Sequence, residues 1–512
     1  MDHSLLCKQN FLHRIVTGIF GVWCFVLAFK NLLQITAVSK TYSGTMRFQA
    51  LLVIFLASIL CIAVCWLLSV LFSRLRPWQL LLLLFGISLA LKLLVIFTIA
   101  PAEYSDFQTF RAGAALTAQG DVSFIERLPY YKIWAYQFGI EFLIAPIFRL
   151  FGRWDPVFSL VVNGVFAALC TPLIYLIGEE IFETKEASIS ASIGLKKRLF
   201  SLTSTPPPRI ASTFAALLFT VLPITVDLSA VFTNQQLSLI FLLFAVWIFL
   251  KRPDWLGGLL AGTALGIANV ARADAIVYLA AFVVGVILLC RSKKIFLGLA
   301  CVIGMYFIAF RAMEWLASPL QPYGLGNNFP LYKFAVGLDE SSQGRYSAQM
   351  QKLLFDNEAY IADPVLRDSE TMALIKEELA IGPARLFRLF SIKTTIQWAG
   401  WQHNYEILHD LSGQESVAIF GRLVAGSSLN CAYNLWDGFT RTILFTVAGI
   451  SGLMTAAKKQ IHLGLSIPML AFMAFSTVAM AVEVQYRYSY FVFPAIILMT
   501  ASLLIPGTKT DA

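Results

Sequence analysis

Residues 77–120 read "PWQLLLLLFGISLALKLLVIFTIAPAEYSDFQTFRAGAALTAQG". From 78 to 100 the stretch is almost purely apolar, and a run of that length matches a hydrocarbon core about 30 Å thick at about 1.5 Å of rise per residue. The chain then emerges with two carboxylates, Glu103 and Asp106, three residues apart. Acidic residues at the mouth of a span are either solvated loop residues or the start of a site. The remainder of the sequence bears on which.

Of the 512 residues, 58% are hydrophobic, 14% aromatic and only 13% charged, with a mean hydropathy of +0.73. A soluble domain carries roughly 45–50% apolar and about 25% charged residues, so the chain reads as an all-α polytopic membrane protein. Spans are expected at 12–34, 49–72, 78–100, 157–178, 210–231, 236–250, 255–271, 275–290, 295–313, 434–457, 463–482 and 488–505, about twelve in all. Basic residues fall in alternate loops: Arg74 and Arg76, then Lys196-Lys197-Arg198 with Arg209, then Lys251-Arg252, then Arg291 with Lys293 and Lys294, then Lys458-Lys459. Short cytoplasmic loops carry the Lys/Arg excess. Both termini are therefore expected inside, with 101–156, 232–235, 272–274, 314–433 and 483–487 outside. The net charge of +9 is largely this loop signal and does not point to nucleic acid. The first span is too long for a signal-peptide core and lacks a small-residue cleavage site.

Soluble nucleotide chemistry has no motif here: there is no Gly-rich phosphate loop, no His-x-x-His pair and no Ser-His-Asp candidate. The eight cysteines lie mostly within spans, without metal or disulfide spacing. Two regions are long without spanning. In 101–156, "DFQTFRAGAALTA" shows an apolar face at helical spacing, and "IWAYQFGIEFLIAPIFRLFG" is an aromatic-rich piece broken by Pro146 and Gly152, expected to lie in the interface. Region 314–433 is expected to be a mixed or mostly helical extracytoplasmic domain, with a helix capped by Ser369, a break at Gly382-Pro383, and Lys393 set among apolar residues. Segment 183–209, with "ASISAS" and "TSTPPPR", reads as a flexible linker. The resulting organisation is 1–74 with two spans, 75–313 with the outer loop 101–156, the domain 314–433, and the C-terminal spans in 434–512.

Ionisable and polar residues gather at the outer ends of the spans. Glu103, Asp106, Arg111, Arg127 and Lys132 come from the first outer loop; Asn234, Gln235 and Gln236 from the next; Arg272 and Asp274 from "IANVARADAIVYL"; and Glu483, Arg487 and Tyr488 from "VEVQYRYSYFVFP". Charges at membrane depth are costly unless they pair or face a cavity, so Arg272, Asp274, Glu483 and Arg487 are functional candidates. The competing reading makes Arg272–Asp274 and Glu483–Arg487 local ion pairs or interfacial anchors. One carboxylate with several cations at a membrane surface suits a polyprenyl-phosphate sugar as donor. Cations bind the phosphate and stabilise the charge that develops as it leaves, and the carboxylate deprotonates an acceptor hydroxyl attacking the anomeric carbon from the opposite face.

The succession "DFQTFRAGA", "WAYQFGIEFLIAPIFRLFG", "NGVFAALCTPLIYLIGEEIF", "IASTFAALLFTVLPITVDLSAVFTNQQLSLIFLLFAVWIFLKRP" and "WLGGLLAGTALGIANVARADAIVYL" resembles the GT-C superfamily of membrane glycosyltransferases, and within it the bacterial branch similar to protein O-mannosyltransferases and lipid A aminoarabinose transferases. The resemblance covers 75–313 and continues weakly to "VEVQYRYSYFVFP". It implies an inverting transfer with Asp106 as the catalytic base and Lys132, Arg272 and Arg487 on the donor phosphate; from their positions at the outer face, Glu103 is expected to support Asp106, with Asp274, Glu483 and Tyr488 in supporting places. It implies as partners a polyprenyl-phosphate-linked sugar, a glycan, lipid or protein acceptor, and membrane lipids; the basic cytoplasmic loops suit a bacterial plasma membrane with the site facing outside, an ER membrane being the alternative. No cofactor is expected, and nothing such as an Asp-x-Asp pair indicates a divalent cation. Two departures stand out: Asn234, Gln235 and Gln236 replace a second acidic residue usual in such relatives, and two extra spans precede residue 75. A flippase or transporter of lipid-linked glycans is one alternative. An O-antigen ligase or polymerase type of enzyme, using His403 and His409, is the other.

Overall fold

A computed structural model describes residues 6–41, 44–99, 105–192, 207–399, 417–419, 422–424, 426–458 and 460–505. Apolar side chains alone would leave backbone polar groups unpaired in lipid, so each run closes its hydrogen bonds within a helix. Among the described residues nine helices are long and apolar enough to cross a bilayer: Phe11–Val38, Phe48–Phe72, Pro77–Thr98, Pro156–Phe182, Asn234–Lys251, Lys293–Ala317, Ser428–Ala457, Leu463–Ala481 and Tyr486–Leu504. Shorter apolar helices occupy Pro208–Val221, Trp255–Ala271 and Ala275–Leu289, overlapping three of the segments expected to span; in 210–231 the helix stops at Val221 and Pro223 opens a separate short helix, Pro223–Asp227. The chain is thus a helical, multi-pass integral membrane protein.

Position in the bundle follows from burial. Only 11% of the residues in the most apolar window of Phe48–Phe72 are buried, against 72% for Leu463–Ala481 and 78% for Tyr486–Leu504, which form the centre. Helix Phe11–Val38 runs along Gly426–Ala457, and helix Trp255–Ala271 along Lys293–Ala317. In the second pair Gly258, Gly262 and Gly266 recur every four residues and meet the backbone of Gly298, Val302 and Tyr306, a small-residue seam that brings two helices to backbone contact. Two short antiparallel ladders, Leu6–Lys8 with Gln460–His462 and Val417–Ile419 with Arg422–Val424, are the strands among the described residues.

Several local expectations need correction. The last spanning segment is not one α-helix: a 3₁₀ stretch, Tyr486–Val492, precedes the α-helix Phe493–Ala501, whose first turn holds Pro494. Pro146 does not break helix Phe138–Phe151; Ile144, Ala145 and Phe148 bury against Phe110 and Ala114, and the helix ends only at Gly152, φ 61°. Ser369 is no cap, because helix Pro364–Leu379 starts earlier, with Asp363 accepting from the amides of Val365 and Leu366. The segment taken as a linker from 183 is helical to Ser192, and 193–206 lies outside the described residues.

Region 314–399 packs directly on the first long loop. Phe329, Tyr332, Val336 and Leu354 cluster with Ile133, the Tyr136 amide donates to the Gly326 carbonyl at 3.1 Å, and the Asn328 amide to that of Ile133 at 3.2 Å. These bonds hold 130–137 against helix Pro330–Leu338 and place both beside the Tyr486–Val492 turn, since the Glu483 amide donates to the Lys333 carbonyl at 2.9 Å.

Candidate active site

Asp106 is the first residue of helix Asp106–Gln119. Ser105 holds the cap position with φ 51° and makes no side-chain capping bond. A positive φ at a serine is a strained conformation of about 1–3 kcal/mol. Asp106 keeps the favourable interaction of a carboxylate with a helix N-terminus, but its oxygens are directed elsewhere. Oδ2 accepts from an Arg487 guanidinium nitrogen at 3.0 Å and Oδ1 from the Tyr130 hydroxyl at 3.3 Å. Glu103 lies outside the described residues, as do His403 and His409.

The cationic side is built from three chain segments. Arg487 stands over the Phe107 ring at 4.8 Å, and its carbonyl accepts from the Gln235 amide at 2.6 Å. Arg272 leans on the other neighbour of that turn: its guanidinium is 4.8 Å from the Tyr488 ring, and Arg487 is 5.7 Å from the same ring. Arg272 also bonds Asp274 and donates to Asn234 Oδ1 at 3.3 Å. The three consecutive amides each have a partner: Asn234 and Gln235 hold the two arginines, and Gln236 accepts from Tyr490. The local-pair reading fits Arg272 with Asp274. It does not fit Glu483 with Arg487, because Glu483 pairs instead with Lys333, while Gln485 donates to its other oxygen at 2.7 Å.

Lys132 is exposed on the short helix Pro129–Ile133, and among the described contacts its ammonium makes no ion pair. Lys333 takes the interior place. Its ammonium bonds the buried Glu483 and sits 5.4 Å from the Trp134 ring. Burial pulls its pKa down, but the charges of Glu483, Tyr488 and Tyr136 outweigh that and hold it well above the usual lysine value. A lone lysine between Tyr332 and Phe334, in the apolar "LYKFAVGL", was the signal that could have revealed it.

Tyr136 was also missed, and it is central. Its phenol is raised by burial; Lys333 pulls it down, Asp106 and Glu483 push it up, and Arg272 pulls it down, so both carboxylates and two cations lie within electrostatic reach of one hydroxyl. Tyr488 shares Glu483, Lys333, Arg487 and Arg272 as charged neighbours. One end of the bundle thus carries a carboxylate opposite several cations, walled by aromatic rings. It can hold an anion, orient a hydroxyl group and accept a proton. Among the described residues no three His, Cys, Asp or Glu converge as metal ligands.

Behind this wall two glycines set distances. A Cβ on Gly139 would stand 1.9 Å from the Val270 carbonyl oxygen, and one on Gly113 would stand 2.1 Å from Glu141 Oε2. Helix Phe138–Phe151 is therefore wedged against both the helix that starts at Asp106 and the helix that ends just before Arg272. Glu141 is wholly buried, accepts from Tyr131 at 2.7 Å, and is held by burial well above the usual carboxylate pKa.

The chain matches no protein-family model, and no curated protein matches it.

Proposed function

We propose that this protein is a GT-C type glycosyltransferase of twelve spans, its active end facing outside, in a bacterial plasma membrane. It transfers a sugar from a polyprenyl-phosphate donor to an acceptor hydroxyl. The observation that carries this reading is the meeting of Asp106 with Arg487, 381 residues away, beside Arg272 and Lys333. The acceptor oxygen attacks the anomeric carbon, the bond from that carbon to the phosphate oxygen breaks, and Asp106 takes the hydroxyl proton. The phosphate leaves with the electron pair, and its charge is held by Arg272, Arg487 and Lys333. Arg487 is shared: an arriving phosphate competes with Asp106 for the guanidinium, so donor binding frees a carboxylate oxygen for the acceptor. Tyr130 then fixes the direction of the other oxygen. Lys333 takes the phosphate role that resemblance assigned to Lys132, because it is the lysine paired with the buried carboxylate of Glu483.

The test is sugar transfer from a polyprenyl-phosphate donor by purified Asp106→Asn and Glu103→Gln proteins, with melting temperature read alongside. Asn keeps the shape but takes no proton, so Asp106→Asn should lose about 10²–10⁴-fold in turnover. A folded Asp106→Asn protein with native turnover ends the assignment. A dead Glu103→Gln beside it moves the base upstream, and lipid-linked glycan movement without transfer favours the flippase.

A further inference from the structure

We infer that Lys393 is the positioning residue that sets the spacing of the Lys333–Glu483 pair, an inference that rests on the reading of that pair as part of the donor site. Lys393 projects from helix Pro383–Ala399 and is only 1% exposed, so it cannot itself reach a bound donor. Its ammonium donates to three carbonyls: Gly337 at 2.5 Å, Met480 at 2.6 Å and Val482 at 2.9 Å. An ammonium has three donors, so the set is complete. The acceptors belong to two helix ends. Gly337 is in the last turn of Pro330–Leu338, four residues beyond Lys333; Met480 is in the last turn of Leu463–Ala481, and Val482 immediately precedes Glu483. Helix C-termini leave carbonyls unpaired and carry partial negative charge, which makes a cation the natural joint between two of them.

The joint has no slack. A Cβ on Gly337 would meet the Val482 carbonyl carbon at 2.3 Å, and one on Gly344, φ +73°, would press the Lys393 side chain at 2.7 Å. The Val484 amide donates to the Gly344 carbonyl at 2.9 Å, closing the loop around the lysine. The helix that carries Lys393 is itself tethered. Lys30, from helix Phe11–Val38, donates to the Ser391 carbonyl at 2.9 Å and hydroxyl at 3.0 Å, and to the Thr395 hydroxyl at 3.1 Å. Beyond the bond from the Glu483 amide to the Lys333 carbonyl, Lys333 and Glu483 thus owe their relative place to a third residue fixed to a different part of the bundle. Without it two helix ends with like partial charges face each other, and the pair they carry loses register.

The experiment uses the full chain in detergent or nanodiscs and has two readouts. The first needs no activity: the loss of melting temperature caused by Glu483→Gln is measured in the native background and in Lys393→Met. Positioning predicts a loss in the native background that shrinks by more than half in Lys393→Met, because the pair is already disengaged; equal losses overturn the proposal. Should Lys393→Met yield no folded protein, Lys393→Arg and Gly344→Ala, which crowd the joint without removing its cation, are read in the same way and by the same criterion. The second readout is transfer kinetics: the donor KM should rise about tenfold or more with kcat within a few-fold in the folded Lys393 variants. Lost coupling with an unchanged donor KM keeps the positioning and overturns the assignment of the pair to the donor.

Discussion

Gly139→Ala tests how tightly the site depends on helix contact. The added Cβ would begin 1.9 Å from the Val270 carbonyl oxygen and 2.8 Å from its carbon, and both are backbone atoms that no rotamer change can move. Close carbon–oxygen contacts settle near about 3.3 Å, so the two helices must separate by about 1.4 Å. Val270 lies two residues before Arg272, so the displacement passes almost undiluted to a guanidinium placed by contacts with Tyr488, Asn234 and Asp274. Misplacing a catalytic group by about 1 Å costs about 10²-fold in rate, and overpacking costs about 1–3 kcal/mol in stability. Gly139→Ala should therefore lose about 10²-fold in transfer and melt at a lower temperature. Gly113→Ala should be milder despite a 2.1 Å approach, because it meets the end of the Glu141 side chain, which can turn aside. Gly86→Ala, with nothing within 4 Å of its Cβ, should leave transfer unchanged and gain up to about 1 kcal/mol of helix propensity. The assays are sugar transfer and thermal unfolding of the purified variants. A Gly139→Ala protein with native melting and turnover refutes the wedge.

Lys333→Ala should weaken donor binding by about 1.5–3 kcal/mol for a lost charged hydrogen bond, against less than about 1 kcal/mol for the exposed Lys132→Ala; equal effects in a donor titration return the phosphate contact to Lys132. Burial raises the Glu141 pKa, so the folded state holds a proton that the unfolded chain has released, and stability falls as pH rises above the unfolded value near 4.5. Glu141→Gln removes that dependence, so its melting temperature should gain on the parent's as pH goes from about 5 to about 8; parallel curves would show that Glu141 is ionised in the fold. In a cysteine-depleted background, a cysteine at Gly326 should react with an impermeant thiol reagent from outside intact cells and one at Ser190 should not; labelling at Ser190 inverts the orientation.

The membrane class, the helical architecture and nine of the twelve expected spans were legible because they follow from a local quantity. Twenty apolar residues in lipid must form a helix whatever their neighbours do, and runs such as 78–100 carry that information within themselves. Asp106, Arg272 and Arg487 were legible as candidates for a related reason: charge at a span end is rare enough to need a partner. Their partners were not legible. That Arg487 meets Asp106 while Glu483 takes Lys333, that Lys132 faces outward, and that Asn234 and Gln235 hold the arginines depend on which helices touch and at what height. Those contacts are decided by glycine seams such as Gly258, Gly262 and Gly266, by the wedge at Gly139, and by the 3₁₀ stretch Tyr486–Val492. Backbone approach between segments far apart in sequence leaves no periodicity to read, so local composition singled out the charged residues at the span ends, and the packing of the helices decided which of them meet.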